Sequence, residues 1–199
     1  MLVALALAPL LAACSGSGGA KTPKTTAPTP ITKLDASHVQ LARASFCDRV
    51  SSSGVRAALG GKPESDADWA NGDPLPTAAG DGDQDTGDLA HEFGCEWTGP
   101  AGAVARAWVF ARPVDTAYAT TLVGQARRTK GCTAGPAPVL GNPALVQTCT
   151  LAGGVHRVRR AGLFADTWLS CEVQAATEAG LRARTDAWCA AVVNALDLS

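Results

Sequence analysis

The sequence predicts an α+β domain in which an antiparallel sheet packs against helices and is stapled by about three disulfides. Three observations carry that expectation. Six cysteines (Cys47, Cys95, Cys132, Cys149, Cys171 and Cys189) form an even, dispersed set over residues 36–199, with no C-x-x-C pair among them. In an exported chain such a set reads as a disulfide framework. Short runs with strand character recur between glycine-rich turns, and the chain closes on a segment of helical periodicity.

Length and composition bound the rest. The chain has 199 residues, enough for one domain and its accessories. Apolar residues make up 46% and charged residues 18%, with four Phe, one Tyr and one Met. A formal net charge of −1 gives no global reason to expect nucleic acid as a partner.

Residues 1–13, MLVALALAPLLAA, are uncharged and apolar. They match the core of a signal peptide and are too short to span a bilayer. They run into Leu11-Ala12-Ala13-Cys14, small residues before a cysteine. That arrangement resembles the lipobox of bacterial lipoproteins, with Cys14 as the lipidated residue. The charged segment that ordinarily precedes such a core is missing, which places the natural start upstream. Two acyl chains at roughly 0.8 kcal/mol per buried methylene make a stable anchor. The expected location is therefore the extracytoplasmic face of the cell membrane, with the lipid anchor as the membrane contact.

Residues 14–35 comprise this cysteine and a tether, SGSGGAKTPKTTAPTPITKL and Asp35. Ser/Gly and then Pro/Thr/Lys leave almost nothing to bury, as in a solvated spacer. Lys21, Lys24 and Lys33 are placed to meet anionic headgroups, and Thr22, Thr25, Thr26 and Thr29 beside prolines resemble O-glycosylated stalk composition.

The folded domain is expected over 36–199. Ser37-x-x-Gln40 has capping-box spacing and predicts a helix through Ala44. A second helix is expected at Ser53–Leu59, capped by Ser51 or Ser52 and ended by Gly60-Gly61. Residues 61–94, rich in Gly, Pro and Asp, read as irregular. Strands are expected at Cys95–Thr98 and Val104–Ala111, joined by Gly-Pro-Ala-Gly. A helix is expected from Val114 to about Arg128, with Asp115 and Thr116 in its first turn and Arg127, Arg128 and Lys130 near its end. Further strands fall at Leu145–Leu151, Val155–Arg160 and Trp168–Gln174, with Gly153-Gly154 turning between the first two. The closing helix has Thr177 as its expected cap and Leu181, Thr185, Trp188, Val192 and Leu196 along one face.

Phe46-Cys47-Asp48-Arg49-Val50, Val55-Arg56-Ala57-Ala58-Leu59-Gly60 and Cys95-Glu96-Trp97 resemble the actinobacterial lipoproteins grouped as domain of unknown function 3558. Leu140-Gly141-Asn142-Pro143-Ala144 is similar too, and the resemblance spans roughly 44–197. Four further cysteines, Cys132, Cys149, Cys171 and Cys189, depart from the family pattern. The resemblance implies an envelope lipoprotein without an assigned activity. More distantly, the layout is similar to extracellular sensor domains of mycobacterial receptor kinases.

Six cysteines allow fifteen connectivities, which sequence alone does not choose among. Pairing of neighbours is favoured structurally: Cys47 with Cys95, Cys132 with Cys149, Cys171 with Cys189. Each such loop is worth roughly 3 kcal/mol in the chain-entropy model.

Candidate chemistry is sparse. Asp81, Asp83, Asp85 and Asp88, with Glu92, imitate the spacing of a calcium loop across 81–92. However, Thr86 stands where the turn glycine belongs, so a solvated acidic loop is the favoured reading. His91-Glu92 lacks the second histidine of H-E-x-x-H, and His38, His91 and His156 are far apart. No nucleophile elbow, phosphate loop or dinucleotide fingerprint stands in a suitable context. No catalytic residue, metal ligand or cofactor site is assigned, and an enzyme is not expected.

The last charged feature is His156-Arg157-Val158-Arg159-Arg160. Its alternation puts Arg157 and Arg159 on one face of a strand and His156, Val158 and Arg160 on the other. Residues 63–105 hold ten acidic side chains and no Lys or Arg, so an exposed basic face balanced by the acidic loop is expected. The leading functional expectation is a non-catalytic module that binds a small ligand or another envelope protein. The alternative is a structural, accessory or sensor-like lipoprotein without a small-molecule ligand.

Overall fold

The computed structural model describes residues 30–36, 38–74, 89–137 and 139–198. Seven strands form one antiparallel sheet, and three helices pack on it. In chain order the strands are β1 Ser65–Trp69, β2 Glu92–Thr98, β3 Val104–Phe110, β4 Cys132–Pro136, β5 Ala144–Thr150, β6 His156–Phe164 and β7 Thr167–Ala175. The helices are α1 Ser52–Leu59, α2 Thr116–Arg127 and α3 Leu181–Leu196. The spatial order is β1-β2-β3-β7-β6-β5-β4, with every neighbouring pair antiparallel.

Local chemistry explains most of the helix ends. Ser51 caps α1 by accepting from the Gly54 N–H, and Gly60 closes it at φ 73°, a left-handed conformation that costs glycine little. Asp115 caps α2 by accepting from the Tyr118 N–H. α3 begins one turn later than Thr177 would place it. Its N-cap is Gly180 at φ 70°, after a turn in which the Leu181 N–H bonds to Glu178 O.

The expected helix ending at Ala44 does not form. Leu41 instead bridges Asp197, the Ala42 N–H bonds to Leu196 O, and the Leu198 N–H bonds to Gln40 O. Backbone pairing with the chain's end outcompetes the capping-box preference, which is worth only about 1 kcal/mol. Ser37 itself lies outside the described residues, as do 1–29, 75–88, Pro138 and Ser199. Packing reaches back to Ile31, which is buried against the core in a short 3₁₀ turn, Ile31–Lys33.

Two strands escape sequence patterning. β1, Ser-Asp-Ala-Asp-Trp, falls in the stretch expected to be irregular, because Asp is poor in strands. It is tolerated at an edge where Asp66 and Asp68 are exposed. β4 has no apolar alternation, and its Cys132 stands directly opposite Cys149 of β5 and is bonded to it, with Cα atoms 4.1 Å apart. The other disulfides are Cys47–Cys95, tying a turn before α1 to β2, and Cys171–Cys189, tying β7 to α3. These are the neighbour pairs.

The core is layered. α1 and α3 cover one face of the sheet, where Ala105, Ala107, Val109, Leu169 and Val173 meet Trp188, Val192 and Leu196, all buried. Trp188 donates its indole N–H to Arg106 O at 3.0 Å and meets Trp97 edge-on at 5.4 Å. On the other face, α2 lays Ala119 and Val123 over Leu145, Ala161, Leu163 and Trp168. α2 contacts β4, β5 and β6.

Candidate functional site

Side chains alternate across a strand, so residues directly opposite one another in neighbouring strands share a face. One such row crosses the sheet on the α2 side: Glu96 of β2, Arg106 of β3, Glu172 of β7, Arg159 of β6 and Gln147 of β5. Acid and base alternate along it, and the contacts follow. Arg106 Nε donates to Glu96 Oε2 at 2.7 Å, and its Nη1 lies 3.4 Å from Glu172 Oε1. Arg159 Nε donates to Glu172 Oε2 at 2.7 Å. Arg157, one step along β6 on the same face, brings its Nε within 3.9 Å of Glu172 Oε2.

Glu172 is wholly inaccessible. Burial alone would raise its pKa, but Arg159, Arg157 and Arg106 outweigh that and hold it at about 2. The carboxylate is therefore the fixed anion around which three guanidinium groups are organised. Arg159 also lies over the ring of Trp108, 5.0 Å from its centroid.

Glu92 behaves in the opposite way at the end of β2. Burial pushes its carboxyl up to about 7, against the lowering effects of a hydrogen bond from Trp69 and of Arg159 and Arg106. The Trp69 indole N–H donates to Glu92 Oε1 at 3.1 Å. Trp69 lies across Gly94, where an added Cβ would come within 2.1 Å of its ring. Glycine at 94 is what lets the indole lie flat on the sheet.

Between α2 and this face runs a cleft of about 240 Å³. Trp108, Phe110, Leu122, Leu145 and Trp168 supply apolar walls, and Arg159 supplies a charge. Gln147 ties α2 to the sheet by donating to Ala126 O at 2.8 Å, while its buried Oε1 accepts no hydrogen bond from the described residues. A larger hollow of about 630 Å³ lies between the segment Gln40–Arg43 and the β6–β7 turn. It is more polar and is crossed by the Arg43–Asp166 ion pair.

The sequence-based candidates are distributed as follows. Cys14 and Asp81, Asp83, Asp85 and Asp88 of the acidic loop lie outside the described residues. Of the calcium-loop spacing only Glu92 is described, and its carboxylate is engaged by Trp69. Among the described residues no three His, Cys, Asp or Glu side chains are grouped to hold a metal ion, and no helix is long and apolar enough to cross a membrane. His38 and His91 are exposed, and His156 opens β6.

The basic strand is corrected. Arg157 and Arg160 are buried rather than exposed. Arg157 and Arg159 face Glu172, and Arg160 pairs with Asp186 of α3 on the opposite face. Among the described residues their closest counter-charges come from Glu172 of β7 and Asp186 of α3. Glu172, Arg106, Glu96 and Gln147 carried no sequence signal as a group. A lone carboxylate inside the apolar run Thr167–Ala175 was the available hint, but using it requires knowing that β7 lies between β3 and β6.

No family model matches the chain, and no curated protein matches it in sequence. In fold it is similar to the extracellular domain of PknH from Mycobacterium tuberculosis. That likeness has a TM-score of 0.51 at 16% identity and covers 78% of this chain and 98% of that one. At that identity, what the two chains share is a fold.

Proposed function

We propose that the chain is a membrane-anchored envelope lipoprotein whose domain is a non-catalytic binding module on the extracytoplasmic side. Cys14 is its lipid anchor, and its relatives are the lipoproteins of domain of unknown function 3558. Three disulfides support an oxidising compartment, and the fold likeness to an extracellular domain agrees with it. The Cys47–Cys95 bond joins two of the motifs that carry the family resemblance.

The observation that carries the binding reading is the cleft under α2. Apolar walls with a few convergent polar groups are the usual make-up of a ligand site, and here they sit on the sheet face that carries the ion-pair row. The alternative, a sensor-like or accessory module without a small ligand, takes its support from the fold likeness alone.

Two measurements test this. Cys14→Ala should remove the chain from the salt-washed membrane fraction while leaving its thermal melting unchanged. A mutant that stays membrane-bound would overturn the anchor. In a fragment screen by NMR, ligands should perturb Trp108 and Trp168 indole signals and leave those of Trp97 and Trp188 unmoved. If perturbations avoid the cleft, the binding site has been misplaced.

A further inference from the structure

We propose that the cleft between α2 and the sheet takes a single-chain amphiphile with an anionic head, its apolar body among the aromatic walls and its head on Arg159. This names a ligand class for the binding site proposed above and rests on that reading.

The shape sets the body. Trp108, Phe110, Leu122, Leu145 and Trp168 are apolar, and the volume of about 240 Å³ lies below the roughly 300–1,000 Å³ of drug-sized sites. A short alkyl chain fits such a space, with Gln125, Thr129 and Ser170 lining the rest of the cleft beside Arg159.

The charge sets the head. Glu172 is shared by Arg106, Arg157 and Arg159. Glu92, which also faces Arg159, accepts from the Trp69 indole at 3.1 Å. Arg159 is the member of the row that reaches the cleft. Its Nε is committed to Glu172, while its terminal nitrogens donate to no described residue, and its side chain keeps 27% exposure. A guanidinium with two uncommitted nitrogens suits a bidentate carboxylate or phosphate.

The aromatic lining does not argue for a cationic ligand. The Trp108 face nearest the row is already occupied by the Arg159 guanidinium at 5.0 Å, and a second cation there would meet like charge. The head chemistry is therefore that of an anion, whether carboxylate or phosphomonoester.

The test uses the full chain with Cys14→Ala, so that no attached acyl chain competes. Octanoate, octyl phosphate, octan-1-ol and octylammonium are titrated by calorimetry and tryptophan fluorescence. At least one of the two anions should bind about tenfold or more tightly than octan-1-ol, as a charge-assisted bidentate contact requires. Octylammonium should bind most weakly. The tighter of the two anions then tells a fatty acid from a lipid phosphate.

Arg159→Gln keeps an amide donor for Glu172 and should bring the anions down to the octan-1-ol level. Ala126→Phe, on the α2 wall, should abolish binding of all four with the circular dichroism spectrum unchanged. It leaves the ion-pair row intact should Arg159→Gln fail to fold. If octan-1-ol binds as well as both anions, the ligand class is wrong while the cleft stands as a binding site. If none of the four binds at millimolar concentration, the cleft itself falls as the binding site.

Discussion

The two faces of this sheet are made by the same strands and held by opposite chemistry. Toward α3, β3 and β7 present Ala105, Ala107, Val109, Leu169, Cys171 and Val173, all buried. Toward α2, the intervening positions are Arg106, Trp108, Ser170 and Glu172. One face is closed by apolar volume and by the Cys171–Cys189 bond. The other is only partly covered, by a helix of twelve residues, and its order comes from charges locked in register. A network of buried ion pairs adds little net stability compared with well-packed apolar groups. It does, however, keep polar side chains in fixed positions where no covering layer would hold them. The apolar closed face and the ion-paired face are thus separated by a single strand thickness.

The largest expected effect tests the closed face. Trp188 is fully buried, donates to Arg106 O and meets Trp97 edge-on. Trp188→Ala should cost about 4–5 kcal/mol in chemical denaturation, the upper part of the range for a large buried ring. Binding in the cleft should persist in whatever fraction stays folded. A cost below about 2 kcal/mol would show that α3 is not what closes the molecule.

The next effect tests the open face. Glu172→Gln keeps the shape but leaves Arg106, Arg157 and Arg159 without their shared anion, so a loss of about 3 kcal/mol is expected. Near-ultraviolet circular dichroism should change as well, because Arg159 is no longer held over Trp108. A mutant of normal stability and unchanged spectrum would mean that the row does not organise this face.

The comparison also explains what could be read from the chain. The closed face was legible, because Trp188, Val192 and Leu196 repeat at helical spacing and their burial needs only local pattern. α1 was legible from a serine cap at 51 or 52 and its closing glycines, and α2 from the acidic start and basic end of its run, Asp115 proving to be the cap rather than a first-turn residue. The open face was not. Arg157 and Arg159 were visible as a pair, but their partner Glu172 lies on another strand. Arg106 comes from a third strand, 66 residues before Glu172. Such a row exists only once the order β3-β7-β6 is set, and strand order is a property of the whole sheet. β1 and β4 were lost for a related reason: pairing and a disulfide hold them rather than apolar alternation.

The smallest effect is a pH dependence that separates two carboxyls on the same face. Glu172 is held at about 2 by its arginines and Glu92 is pushed up to about 7 by burial, against an ordinary value of 4.5 for both. The unfolded chain binds the proton of Glu172 more readily, so Glu172 adds stability as pH rises from about 2 to 4.5. Glu92 has the opposite sign. The folded chain keeps a proton that the unfolded chain releases, so stability falls as pH rises from 4.5 to about 7 and stays lowered above that. Among the described residues, the Trp69 indole on β1, Arg106 on β3 and Arg159 on β6 face Glu92 and soften this penalty. Because Glu92 is only partly buried, solvent screening reduces the effect to about 1–2 kcal/mol. Glu92→Gln should therefore flatten the stability profile between pH 4.5 and 7, leaving the acid limb set by Glu172 intact. Denaturation midpoints across pH 3–8 read both limbs in one series. A Glu92→Gln profile that still falls toward neutrality would place the titrating group elsewhere.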